Sequence, residues 1–327
     1  MNKKIRTEFC IICGKDYNNN VKPSIEHIIP DALGNKKLTT YNVCEECNNA
    51  LGAYVDSYLT EHIFVKMIRA IKLEKDKDLQ IFDSDLINDQ KVKFRIRNNG
   101  PEIIPRVKID KEEQTIYIEA SSREEGVKIA RGILKKQFYK TNAEIDAILT
   151  DPKRFLVGDM HYIQPGTFNQ DVSMDFARFK LAAIKIGFEY AAEKLGAVYT
   201  TDDVAVVLRS FLYAGKQSKK DFTENEYNII NKHCNCTDSL TDSLSQISSY
   251  VISSTGGTKK VHHILFLSSD AANKLICCFR VLDEDLLTFT VLLSDDAMQY
   301  LSGKCFISIL FEDGELVEMH DFDIDSV

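Results

Sequence analysis

Two short cysteine pairs constrain this chain more than any other feature. Cys10-Ile11-Ile12-Cys13 and Cys44-Glu45-Glu46-Cys47 each have the spacing of a zinc knuckle, and two knuckles supply four thiolates for one tetrahedral ion. Such pairs usually lie roughly 15–20 residues apart; here 30 residues, 14–43, separate them. That insert carries Glu26-His27-Ile28-Ile29-Pro30, and Asn48-Asn49 follow the last cysteine. The spacing predicts a scaffold stapled by structural zinc that presents one reactive histidine.

The 327 residues allow two or three domains. With 44% hydrophobic and 28% charged residues, the composition is that of a soluble globular protein. A net charge of −8 provides no overall basic field to recruit nucleic acid, so any such contact must come from local Lys and Arg clusters. The basic start, Met1–Arg6, is not followed by an apolar segment, and the apolar stretch near 275–293 is broken by Arg280, Asp283, Glu284 and Asp285. A cytoplasmic protein without membrane contact is expected. In that reducing compartment nine cysteines point to metal ligands and buried thiols rather than disulfides.

The expected fold class is α+β, in four stretches. Residues 1–72 hold the knuckles and a helix from Ser57 through Lys72, where apolar residues recur every three to four positions. Residues 79–215 form a mixed strand and helix region. Strands are expected at 80–82, 91–97, 106–109 and 114–119, with a turn at Asn98-Asn99-Gly100-Pro101. Helices follow, capped by Ser122 and by Thr141 with Glu144; a broad apolar helix covers 172–195 and stops at Gly196, and another covers 202–212. Residues 216–258, rich in Ser, Thr, Asn, Asp and Lys, read as a loop-rich connection with one helix at most. Residues 259–327 read as an antiparallel sheet, with a hairpin turn at Asp313-Gly314.

The chemistry converges on the knuckle region. Cutting a phosphodiester needs an activated water, charge stabilisation on the phosphate and help for the departing oxygen. A neutral histidine can take the proton, and a divalent ion held by hard oxygen ligands can do the rest. Glu26, His27 and Asn48 make such a set. Residues 10–56, with Glu-His-Ile-Ile-Pro, Leu-Gly-Asn, Cys-x-x-Cys-Asn-Asn and a final Asp56, resemble the HNH endonuclease module, a ββα-metal finger, in the variant found in bacterial restriction and phage-defence proteins. The resemblance implies His27 as general base, Glu26 and Asn48 as ligands of the catalytic metal, and Asn42 as the residue that orients His27. Asn35 competes for that last role; the spacing of Asn42 from Cys44 favours Asn42. Asn48 stands where many members have His, which favours magnesium or manganese over softer ions.

Each reading has a plainer rival. The four cysteines could form a ribbon that only binds a partner, His27 could be a core histidine, and Asn48-Asn49 could cap a helix. Asp56 could be a helix-face salt bridge or a site residue. Lys36-Lys37 and Lys3-Lys4-Arg6 could grip phosphates or be solvated surface. His233-Cys234-Asn235-Cys236, with His262-His263, could bind a second metal, but buried thiols are the preferred reading, as they are for Cys277-Cys278. Gly187 and Tyr190-Ala191-Ala192 offer small residues for close helix packing, including across a homodimer. The acidic C-terminal sheet could bind a regulating protein or small signal. The resulting expectation is a metal-dependent HNH endonuclease acting on DNA in restriction or anti-phage defence. The alternative is a zinc-dependent regulatory or nucleic-acid-binding protein with an inactive nuclease fold; a homing nuclease is a third reading, though no DNA-reading motif follows.

Overall fold

The Glu26-His27 pair closes a short strand, β1 (Pro23–His27), which pairs antiparallel with β2 (Thr39–Cys44) in the computed structural model. Residues 7–18, 20–73, 81–85, 91–97, 100–110, 112–156, 158, 175–217, 222–236, 241–254, 259–302 and 304–320 are described. The connection between the strands includes a 3-10 turn, Asp31–Leu33, closed by Gly34 at φ 91°, where a side chain would be strained. Cys44 then starts α1 (Glu45–Leu51), which runs through a π-helical turn, Gly52–Asp56, into α2 (Ser57–Thr60) and, after Glu61-His62, α3 (Ile63–Lys72). The sequence predicts one helix from Ser57 to Lys72. The structure breaks it at 61–62, where Arg69 reaches back and donates to the Thr60 carbonyl at 3.1 Å.

The chain divides into two units, one of Met1–Lys72 with Ser173–Val327 and one of Leu73–Val172. The second contains a three-stranded antiparallel sheet of β3 (Ile81–Asp85), β4 (Lys91–Arg97) and β5 (Gly100–Ile103), and a hairpin of β6 (Arg106–Asp110) and β7 (Thr115–Glu119). Gly100 and Pro101, expected in a turn, already belong to β5; Asn98 and Asn99 lie outside the described residues. Two helices follow. Ser122 caps α4 (Arg123–Gln137), and Thr141 and Glu144 form a reciprocal capping box on α5 (Asn142–Thr150).

The first unit resumes with α6 (Phe176–Leu195), capped by Asp175 and ended by Gly196 at φ 77°. Residues 177–192 of α6 are buried apart from the half-buried Lys180, so this helix is wrapped by protein on almost every side. Then come α7 (Asp203–Gly215), capped by Asp202, α8 (Glu224–His233), the two-residue strand β8 (Cys234–Asn235) and α9 (Thr241–Ser254). The C-terminal strands are β9 (Val261–Ser269), β10 (Leu275–Val281), β11 (Thr288–Ser294), β12 (Phe306–Phe311) and β13 (Leu316–His320), with the one-turn α10 (Met298–Leu301) before β12. They form a six-stranded sheet in the order β13-β12-β9-β10-β11-β8, with every pairing antiparallel. Among the described residues, no helix is long and apolar enough to cross a membrane.

Two sequence expectations differ from this architecture. Residues 216–258 hold two helices and an edge strand rather than a loop with one helix. Thr223 and Glu226 form a capping box that starts α8, and Leu244, Ile247 and Val251 give α9 an apolar stripe buried with Val261, Ile264 and Phe266 of β9. Residues 176–215 pack with the N- and C-terminal segments, so the stretch 79–215 does not cluster as one domain. The small residues of α6 explain why. A Cβ on Gly187 would meet Val291 of β11 at 3.0 Å, so glycine lets the helix lie directly on the sheet. Tyr190, Ala191 and Ala192 are fully buried in the same unit, and the Tyr190 hydroxyl bonds that of Ser308 at 2.9 Å. These residues serve packing within the chain.

The sheet also reaches the β1–β2 connection. His262 Nε2 donates to the carbonyl of Leu33 at 3.1 Å, and His263 Nδ1 accepts from the Leu282 N–H at 3.2 Å. Burial pushes both imidazoles below the usual histidine range, with the neighbouring ring adding to the effect on His263. A histidine depressed in the folded state costs no stability above its unfolded pKa near 6.5. As pH falls below that value the unfolded chain takes up the proton first, and stability drops by up to about 1.4 kcal/mol per pH unit per histidine. Thermal unfolding of wild type and His263→Gln across pH 5 to 8 should therefore show wild type losing ground to the variant only below about pH 6.5; parallel curves would contradict this.

Candidate active site

The knuckles are built by local turns. Cys10 N–H donates to the Lys15 carbonyl at 2.9 Å and Gly14 N–H to the Cys10 carbonyl at 2.8 Å, with Gly14 at φ 72°. Ile11 N–H donates to the Asn42 carbonyl at 2.9 Å, tying this first knuckle to β2. Cys44 ends β2, and Cys47 lies in the first turn of α1. The four sulfurs of Cys10, Cys13, Cys44 and Cys47 lie within 4.8 Å of one another, and Cys13 Sγ is 3.9 Å from Cys44 Sγ. Zn–S bonds of about 2.3 Å in a tetrahedron put sulfurs about 3.8 Å apart, so the cluster fits a structural zinc. A hydrogen bond from Cys47, with backbone N–H groups, pulls the Cys10 thiol down to about 5, while burial pushes Cys44 up to about 11 and the bond to Cys10 pushes Cys47 up. Lys216, at the end of α7, donates to Cys47 Sγ at 3.1 Å and offsets the negative charge of the cluster. Nothing in the sequence around Lys216 signals this role.

The strand opposite the Glu-His pair, β2, carries a bulge. Ser24 faces Val43 while Glu26 faces Thr40, so Ile25 stands opposite both Tyr41 and Asn42. Strand alternation then sends Glu26 inward, 3% exposed, and leaves His27 half-buried on the other face. Asn48 lies inside α1, whose N-cap is Cys44, so the capping role is ruled out. Its Nδ2 donates to Ser24 Oγ at 3.0 Å and to the Ile25 carbonyl at 2.8 Å. The second knuckle thus does bring Asn48 beside β1, with its Oδ1 left without a partner among the described residues.

The sequence model of the family described as HNH endonuclease matches residues 10–64. This segment is an HNH zinc-knuckle module. The match covers about one sixth of the chain. Comparisons with curated proteins and with solved structures return no match. The HNH module is not self-contained. Lys185, Glu193, Lys216 and His262, all outside 10–64, bond to it directly.

Lys185 is the most consequential of these. It is fully buried in α6, and its ammonium lies 2.5 Å from Glu26 Oε1, 3.0 Å from Asp56 Oδ2, 3.5 Å from Glu189 Oε2 and 3.3 Å from the His27 carbonyl oxygen. Asp56 therefore faces the site interior from the π-helical turn, as a partner of Lys185. Burial opposes the charge on Lys185, but Asp56, Glu189 and Glu26 outweigh it and hold the amine well above the lysine range. Burial pushes Asp56 up to about 6 and Glu189 further, because one ammonium does not neutralise three acids. Glu26 Oε2, Asp56 Oδ1 and both oxygens of Glu189 are buried without a hydrogen bond. Glu26 is 3% exposed, with Oε1 on the Lys185 ammonium and Oε2 without a hydrogen bond. Among the described residues, the four cysteines are the one group of three or more His, Cys, Asp or Glu gathered closely enough for a metal.

The remaining candidates divide clearly. Asn42, in the bulge, accepts the Thr7 N–H at 2.7 Å and the Thr7 hydroxyl at 3.2 Å, and donates one amide N–H to Glu193 at 3.3 Å. Both lone pairs of its oxygen are thus taken. Asn35 uses all its amide groups in its own loop, donating to the Ile29 and Leu38 carbonyls and accepting from the Lys37 and Leu38 N–H groups. That saturation removes it as a partner for His27. Lys36 is paired with Asp31 at 2.5 Å, Lys37 is exposed, and Lys3, Lys4 and Arg6 lie outside the described residues. His233 bonds its own helix at the Ile229 carbonyl, Cys234 is buried in β8 and Cys236 is exposed, so no second cluster forms among them. Cys277 and Cys278 are core residues of β10. Metal analysis of the purified chain should find one zinc. Cys44→Ala should lose it, together with the fold of 10–64, because zinc binding there is folding free energy; a zinc-free wild type with an intact β1–β2 hairpin would contradict this.

Proposed function

We propose that this protein is a nuclease that hydrolyses phosphodiester bonds in DNA, with His27 as the base that takes a proton from water. The observation that carries the reading is the HNH match over 10–64, with His27 half-exposed at the end of β1 and next to a zinc-stapled hairpin. Asn48, held against β1 through its amide nitrogen, directly follows the second knuckle and supplies an amide oxygen for a hard metal ion. Products with 5′-phosphate and 3′-hydroxyl ends, action in the cytoplasm and a role in restriction or anti-phage defence are part of the proposal. They follow from the resemblance of the Glu-His-Ile-Ile-Pro and Cys-x-x-Cys-Asn-Asn motifs to that branch of the family.

A second reading has its own support. Glu26, which the family resemblance makes a metal ligand, is buried against Lys185. That favours a zinc-stabilised regulatory or nucleic-acid-binding protein in which the HNH module no longer cuts. Nicking of supercoiled plasmid with magnesium or manganese, with and without chelator, separates the two. Wild type should nick, and His27→Ala should lose at least about 100-fold in rate with zinc content unchanged. A wild type that binds plasmid but leaves it intact under every metal condition would favour the second reading.

A further inference from the structure

We propose that Lys185 is a positioning residue for the HNH site: from α6, it holds Glu26 and the main-chain carbonyl of His27, so that Glu26 is an anchor for β1 rather than an open metal ligand. The activity arm of this inference rests on the nuclease reading above; the structural arm does not.

The geometry is specific. A lysine side chain with no solvent exposure has no solubility role, and a buried ammonium persists only where acceptors surround it. Its acceptors come from three elements: Glu26 and the His27 carbonyl on β1, Asp56 on the π-helical turn, and Glu189 one turn along α6. Glu26 and His27 are consecutive, so one ammonium grips the side chain before the candidate base and the backbone of the base itself. The imidazole leaves β1 from that pinned residue. Without the charge, three buried acids would face one another and the end of β1 would lose both its contacts to α6. The family match ends at residue 64, so the positioning cation comes from beyond it.

The test uses the full chain, with Lys185→Met to remove the charge at similar length and Lys185→Arg to keep it. Two readouts are taken: plasmid nicking, and the imidazole NMR signals of His27, assigned by their loss in His27→Ala. In Lys185→Met the His27 signals should move while zinc stays bound. The nicking kcat should fall by about 100-fold or more, with KM for plasmid little changed, because misplacing the base costs turnover rather than binding. Lys185→Arg should restore part of the rate and move the signals back toward wild type. If Lys185→Met loses its zinc, Glu26→Met breaks the same contact from the other side, leaves Lys185 its other two acids, and should move the same signals. Unmoved His27 signals in the folded charge-removing variant overturn the positioning role whatever the nicking rate. Moved signals in a protein whose wild type never nicks leave the positioning role standing and remove the nuclease reading alone.

Discussion

An ammonium with no solvent contact can exist only if the chain supplies acceptors around it, and Lys185 obtains them from segments far apart in sequence. Glu26, Asp56 and Lys185 are brought together only when β1, the π-helical turn and α6 have all docked. Removing one partner of such a buried set generally costs about 3–5 kcal/mol, because the remaining charges stay buried without compensation. The interaction therefore acts as a condition on assembly. The π-helical turn has a clear purpose in this light. Its extra residue per turn ends at Asp56 and coincides with the point where α1 and α2 must turn a carboxylate inward.

Helix α6 carries the load on both sides. One face lies on β10 and β11, made possible by Gly187 against Val291 and anchored by Tyr190 on Ser308. Its other face meets β2, the π-helical turn and α2 of the HNH module. A zinc-stapled finger of this size has little core of its own. Here it borrows one: Lys216 binds the cysteine cluster from α7, Glu193 holds Asn42, and His262 holds the β1–β2 connection at Leu33. The cysteine cluster and the helix thus divide the work, the four sulfurs joining the hairpin to α1 and the helix setting the position of the Glu-His strand.

Much of this was legible in the residues. The Cys-x-x-Cys pairs announced the sulfur cluster, period-two alternation marked β4, β7 and the C-terminal strands, and Ser122, Thr141 and Gly196 marked helix ends within a residue. The start of α8 was equally legible, since Thr223 and Glu226 have the capping-box spacing, but the polar composition around them obscured it. The stripe Leu244, Ile247, Val251 was hidden for the same reason among serines. Lys185 was not legible. On a helix otherwise lined with Leu, Ile, Phe and Ala, a lysine reads as a solvated position, and only burial on the opposite side of the helix reveals otherwise.

By itself, then, the sequence determined what depends on neighbours along the chain: the knuckle turns, the strand periods, the caps and the identity of the histidine that follows Glu26. Those are set by backbone sterics, side-chain alternation and ligand spacing, which act over a few residues. Only the tertiary structure decided where Glu26 points, what Asn42 and Asp56 bond, and which downstream helix completes the module. These depend on which charges end up excluded from water together, and that is a property of the packed fold, since the ammonium that binds Glu26 stands 159 residues away along the chain.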